Sequence, residues 1–404
     1  MKYFSVPADF KKTTIDAYER LNNSYKGSKV IETYGQITEG NLFGSGRPSD
    51  VLNKVDFNGL KDYVEYSKQK NIDFNYTLNT SCFGNRDFTK EGIHEIKCYL
   101  DKIYNAGVRS LTIAMPSLIE IVKTMGYDFS IKASAICQIS NANKALAYKK
   151  MGVDRMVVDI PIHRDFQALK NIREAFGEKV EIIVNTICHK NCIYTMFHYN
   201  ECSHDFDKNS QKSSVNYYPY RCILRCHEDN SNFIKTAWIR PEDLKYYSEV
   251  GINYFKIQGR QVVAVGDPVR TVESYFKESF DGNLMDLLRV FSPTNLFNIK
   301  IDNKKLEGYL KPFFDIPNFC KNNCPECNYC NSFLEKSINV DKAKVENNNA
   351  INYYTGFDEF TNSIKQVMDE AIVENRAKKC TAKPELDFDF DLDFEEDNSK
   401  GCVK

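Results

Sequence analysis

Long apolar runs are missing from this chain of 404 residues. No stretch approaches the roughly 18 consecutive apolar residues that a membrane-crossing helix needs. The opening residues, MKYFSVPADFKKTT, lack the apolar core of a secretory signal, so a reducing cytosol is the expected compartment. The chain has no H-E-x-x-H and no G-x-S-x-G, which removes the zinc-protease helix and the serine-hydrolase elbow. The glycine-rich stretch GNLFGSGRP at 40–48 lacks the Lys-Ser/Thr of a phosphate loop and the helix of a dinucleotide fingerprint. It reads as a flexible rim loop. An excess of one charge is absent as well, since the net charge is -1. Its distribution is uneven. Residues 384–404 hold eight acids against two lysines, about -6, which leaves the remainder about +5. A mildly basic body permits an anionic small molecule or RNA as substrate.

What the chain does have is grouped cysteine. Nine of 14 cysteines fall between Cys188 and Cys330. Cys188 and Cys192 form one Cys-x3-Cys pair, and Cys222 and Cys226 another. Cys320, Cys324, Cys327 and Cys330 lie within eleven residues. In a reducing compartment such groups read as metal ligands rather than disulfides. Cys82, Cys98 and Cys137 stand apart and read as buried thiols. The Cys320–Cys330 group is too compact for an ordinary zinc ribbon and approaches the dense cysteine run of ferredoxins with its spacing reversed. A 4Fe-4S cluster is expected there, with zinc as the alternative. The two Cys-x3-Cys pairs suit a second four-thiolate site. Of the neighbouring histidines 189, 198, 204 and 227, His198 is the best candidate for proton transfer.

Up to about residue 285, short apolar or β-branched runs alternate with segments of helical period. The runs are 30–37, 74–79, 110–114, 130–136, 155–160, 180–186, 233–240 and 254–257. The helical segments include 90–105, 142–151, 165–176, 241–250 and 267–280. Eight such units predict an α/β fold, a (β/α)8 TIM-like barrel, carrying a small Cys-rich C-terminal extension and an acidic tail. The expected boundaries are 1–290 for the barrel with a Cys-rich insertion at 188–232, and 291–336 for the extension. A linker and amphipathic helix follow at 337–383, then a disordered acidic tail at 384–404. The insertion follows the sixth run, on the face where barrel enzymes place their chemistry. Lys256, Gln258 and Arg260 end the last run. Lys256 and Gln258 share one face of that strand, and Arg260 sits at the rim, so the three are expected to hold a carboxylate or phosphate. Arg164 and Arg240, after the fifth and seventh runs, are expected on the same rim.

These pieces together resemble peptidase family U32, the collagenase-like peptidases. The resemblance is carried by IVNTICHKNCIYTMFHYNECSH (183–204), YRCILRC (220–226) and EDLKYYSEVGINYFKIQGR (242–260). It implies a barrel-like catalytic domain and a cysteine-ligated iron–sulfur cluster. It also implies oxygen-independent hydroxylation of tRNA, ribosomal RNA or a quinone precursor, with prephenate as hydroxyl donor in some members. An electron-donor protein would then be a partner. Two alternatives stand beside this: a peptidase, as the family name says, and a non-enzymatic iron–sulfur scaffold. Four thiolates around one metal leave no open position for metallopeptidase chemistry. The chain departs from the family where the signature glutamate is replaced by Gln258, in its two Cys-x3-Cys pairs, and in the extra group at Cys320–Cys330.

Overall fold

The computed structural model describes residues 1–204, 217–293 and 297–352, together with residues 362, 366 and 370. Eight parallel strands close into a barrel in chain order. They are β1 (Lys2–Pro7), β2 (Ser28–Gly35), β3 (Asp73–Leu78), β4 (Ser110–Ile113), β5 (Ser130–Ala133), β6 (Arg155–Val157), β7 (Val180–Ile183) and β8 (Tyr254–Lys256). β1 closes the ring on β8, with Tyr3, Phe4 and Ser5 opposite Tyr254, Phe255 and Lys256. Helices α1 (Lys12–Ser24), α2 (Phe57–Gln69), α3 (Lys90–Asn105), α4 (Pro116–Lys123), α5 (Ala142–Lys150) and α6 (Phe166–Phe176) cross between successive strands. Asp56, Thr89, Asn141 and Asp165 cap four of them by accepting a hydrogen bond from a first-turn amide. Gly107, Gly152 and Gly251 each adopt a positive φ just before an inward turn of the chain, as helix-ending glycines do. No helix among the described residues is long and apolar enough to cross a membrane.

The barrel matches the expected class, but its strand count was reached by two compensating errors. β1 lies at 2–7, ahead of the first apolar run counted from the sequence. The run at 233–240 is not a strand. Ser231–Lys235 forms a short helix there, and the chain continues as coil in which Ala237, Trp238 and Ile239 are buried. Burial alone explains that apolar run, and a run of this length does not distinguish strand from helix. The thiol-rich insertion therefore follows β7, not a sixth strand.

The barrel interior holds a charged layer. Lys132 lies between Glu32 and Glu181, which are buried with it, and Arg155 reaches both carboxylates. Lys132 Nζ is 2.8 Å from Glu181 Oε2, and Arg155 Nη1 is 3.1 Å from Glu32 Oε2. The Ser5 hydroxyl stands 2.6 Å from Glu32 and 3.0 Å from Glu181. Two carboxylates face two cations, so the layer is neutral although each member is desolvated. For Glu32, burial alone would raise the carboxyl. Arg155 and Lys132 outweigh it and hold the group down at about 2.

Past the barrel, the chain to Asn347 belongs to the same compact unit, and residues 348–404 form a second one. Arg240 donates to both carboxylate oxygens of Asp243 and to the Asn303 carbonyl, tying the extension to the barrel wall. The expected helix near 358–378 and the acidic tail fall almost entirely outside the described residues.

Two outcomes follow from the charged layer. Glu181→Gln should cost about 3–5 kcal/mol in urea unfolding, because two buried cations would then share one carboxylate. A loss under about 0.5 kcal/mol would refute that role. Because the Glu32 pKa is depressed, its contribution is complete above the ordinary value of 4.5 and is lost as pH falls through about 2. Unfolding midpoints measured across that window should fall, and Glu32→Gln should flatten the slope.

Candidate functional site

One layer above the charged ring, at the C-terminal mouth of the barrel, lies a small cavity of about 60 Å³. Lys256, the last residue of β8, lines it, and so do Gln258 and Arg260 in the segment that follows. Arg47 also lines it. This residue belongs to the loop read from sequence only as flexible rim. Tyr34, Thr77, Asn79, Ser134 and Tyr199 supply further polar lining. Thr77 is buried, and its hydroxyl has no hydrogen-bond partner.

Each cation is held differently. Arg260 is buried and donates to Gln36 Oε1 at 2.8 Å. Burial lowers its pKa to about 10, so it stays charged at neutral pH. Arg47 donates from Nε to Gln261 Oε1 at 3.2 Å. Lys256 rests over the Tyr34 ring, 3.9 Å from its centroid, and the Tyr34 hydroxyl donates to the Ile257 carbonyl. Lys256 is buried, and its pKa is pushed down to about 7, first by desolvation and next by the Lys132 charge beneath it. Gln258 is fixed by Asn185: its amide donates to Asn185 Oδ1 at 2.7 Å, and its side chain to the Asn185 carbonyl.

The insertion after β7 covers this mouth. Helix α7 (Thr195–His204) brings Tyr199 to the cavity wall. It is fastened by Ser203, whose hydroxyl accepts from the Ser81 amide at 2.9 Å, and by Asn200, which accepts from the Ser81 hydroxyl. The loop bearing Arg47 packs against the same helix so closely that a Cβ on Gly44 would fall 2.0 Å from the Ser203 carbonyl oxygen. Only glycine fits there. His198 stacks on Tyr218 with ring centroids 5.8 Å apart, and burial lowers its pKa to about 4. It is not among the cavity-lining residues.

Beside the cavity stands the thiol group. Helix α8 (Tyr217–Glu228) carries Cys222 and Cys226 one turn apart on one face. His189, from the loop after β7, places Nε2 3.3 Å from Cys226 Sγ. The ligand atoms of His189, Cys222 and Cys226 all lie within 4.8 Å of one another, the one such group of three or more among the described residues. A hydrogen bond from Cys226 and the proximity of His189 lower the Cys222 pKa. Cys188 and Cys192 are close enough for the charges of Cys188 and its neighbours Cys222 and Cys192 to interact. Two thiols and an imidazole, with two further thiols at hand, are donors for zinc or an iron–sulfur centre. The sequence favoured His198 among the four histidines, whereas the structure brings His189 to the thiols.

Cys320, Cys324, Cys327 and Cys330 do not gather to that distance. Cys324 and Cys327 are exposed. Cys330 lies 3.4 Å from the Tyr309 hydroxyl. The segment nevertheless adjoins the first thiol loop: Lys190 Nζ is 2.8 Å from Asn322 Oδ1 and 3.6 Å from Cys320 Sγ. Arg164 is away from the barrel cavity. It donates to the Ile234 and Thr236 carbonyls and the Tyr309 hydroxyl, and stacks against Trp238. It borders a second cleft of about 330 Å³ that Lys190 and Cys320 also line. Arg240 is likewise engaged in the wall contact described above. Of the three cysteines read as buried thiols, Cys137 is buried, its thiol against the Ile113 and Ala114 carbonyls, whereas Cys82 is only partly buried and Cys98 is partly buried and disulfide-bonded.

The chain was compared with known proteins. The family model described as peptidase family U32 matches residues 51–287. The chain is 31% identical over 341 residues to an uncharacterized protease, MJ1657, of Methanocaldococcus jannaschii, covering 83% of this chain and 98% of that protein. Among solved structures, the U32 peptidase Mk0906 superposes with a TM-score of 0.48 at 17% identity, covering 63% of this chain and 92% of that one. With the family model over more than half its length and a relative at this identity across most of both proteins, the chain belongs to peptidase family U32.

Proposed function

We propose that this chain is an iron–sulfur enzyme that hydroxylates, without oxygen, or otherwise modifies an anionic substrate held at the barrel mouth. The observation that carries this reading is the position of Arg47. It lines the cavity with Lys256 and Arg260, and its charge also acts on Cys188 and His198. An anion bound between these cations would therefore sit next to the thiol group. His189, Cys222 and Cys226, with Cys188 and Cys192 adjacent, would hold the cluster. Such a centre supplies one-electron chemistry. The chain's own residues do the rest. Arg47 and Arg260 orient the anion through charge-assisted hydrogen bonds. Lys256 can give or take a proton near neutral pH. Helix α7 covers the mouth and limits water. The cavity takes only a small group, whether a free metabolite or one unit of an RNA.

Anaerobic purification followed by iron and acid-labile sulfide analysis tests the cluster. Iron and sulfide in equal amounts, both reduced in Cys222→Ser, are the expected result. Stoichiometric zinc without sulfide would overturn the redox reading. Lys256→Met tests the cavity. It should weaken phosphate binding while raising stability by about 1–3 kcal/mol, because a buried cation without its own carboxylate is replaced by an apolar side chain. A drop in thermal midpoint would count against that assignment.

A further inference from the structure

Lys256 is an odd choice if its task is only to hold an anion. The charged layer below consumes both nearby carboxylates: Lys132 and Arg155 already neutralise Glu32 and Glu181. Lys256 stands above them as a fifth charged group without a carboxylate of its own, largely buried but lining the cavity, and steadied by the Tyr34 ring. Two arginines share its cavity, so anion binding does not require it. An amine in that setting has a lone pair available and a fixed direction. Thr77 lines the same space.

We propose that Lys256 is a nucleophile that forms an imine with the carbonyl carbon of a small oxo acid, whose carboxylate is held by Arg47 and Arg260. This deepens the reading of the cavity as an anion site and rests on it. In the step, the Lys256 nitrogen adds to the carbonyl carbon and a C–N bond forms. The carbonyl oxygen then leaves as water, carrying both amine hydrogens. No electrons are gained or lost, so no external oxidant or reductant is involved. The cavity, about 60 Å³, admits only a small molecule. Burial, Lys132, Glu181, Glu32 and Arg260 set the protonation of Lys256, and Arg47 and Tyr34 line the cavity with it. With its pKa near 7, the amine is substantially neutral at physiological pH, where ordinary lysines are not.

The test is hydride trapping on the full chain, purified anaerobically. The protein is incubated with pyruvate, or with acetone as the carbonyl lacking a carboxylate, then treated with borohydride and mapped by peptide mass spectrometry. One reduced adduct at Lys256 is expected, absent in Lys256→Arg. Pyruvate should exceed acetone by roughly tenfold, and Arg260→Gln should erase that preference, as loss of a charge-assisted hydrogen bond implies. Yield should rise as pH passes through about 7. If pyruvate or phosphate binds but no adduct appears at Lys256, the imine is overturned and the anion site stands. If acetone and pyruvate label Lys256 equally, the anion site falls, and this proposal with it.

Discussion

The charged layer inside the barrel is the constraint on which the site depends. Four strands contribute to it: β2 through Glu32, β5 through Lys132, β6 through Arg155 and β7 through Glu181, with Ser5 of β1 linking two of them. Barrel interiors are more often filled by branched aliphatic side chains. Here desolvated charges are matched in number and geometry, so the layer tolerates burial only as a complete set. It does two things at once. It fixes the register of neighbouring strands, since slipping one strand by a residue would turn its charge out of the ring. It also leaves the next layer up, where Lys256 lies, over a net-neutral floor with a cation nearest to it.

Position in the fold, more than residue type, separates the cysteine groups. The four-cysteine run at Cys320–Cys330 is the easiest to recognise, yet no three of its sulfurs lie within 4.8 Å of one another and two are exposed. The pair on α8 looks weaker in sequence, yet one helical turn presents both sulfurs to His189 beside the cavity. Lys190 connects the two segments physically, so the extension is not remote from the mouth. Arg164 and Arg240 show the converse. A guanidinium at a rim position can be wholly occupied in pinning loops to the wall.

Much of this was legible from residue order. Seven strands and the crossover helices α3, α5 and α6 follow from apolar period and alternation, which are local properties, whereas α1, α2 and α4 were not singled out. The first strand was not legible, because KYFSVP has no flanking pattern, and 233–240 misled because buried coil and buried strand share a composition. Arg47 was hidden for a different reason. Nothing in GNLFGSGRP says where the loop will lie, and the clue, Gly44, becomes meaningful only once Ser203 is seen against it. His189 needed the fold of α8 before it could be preferred over the other histidines.

Barrel closure through Tyr3–Tyr254 pairing has a kinetic consequence. β1 is the first strand to leave the ribosome and β8 the last, so one edge of β1 waits unpaired through most of synthesis. The ring can close only after a very long loop has been ordered, and contacts of such sequence separation form slowly. That closure brings Ser5 of β1 beside Lys256 of β8.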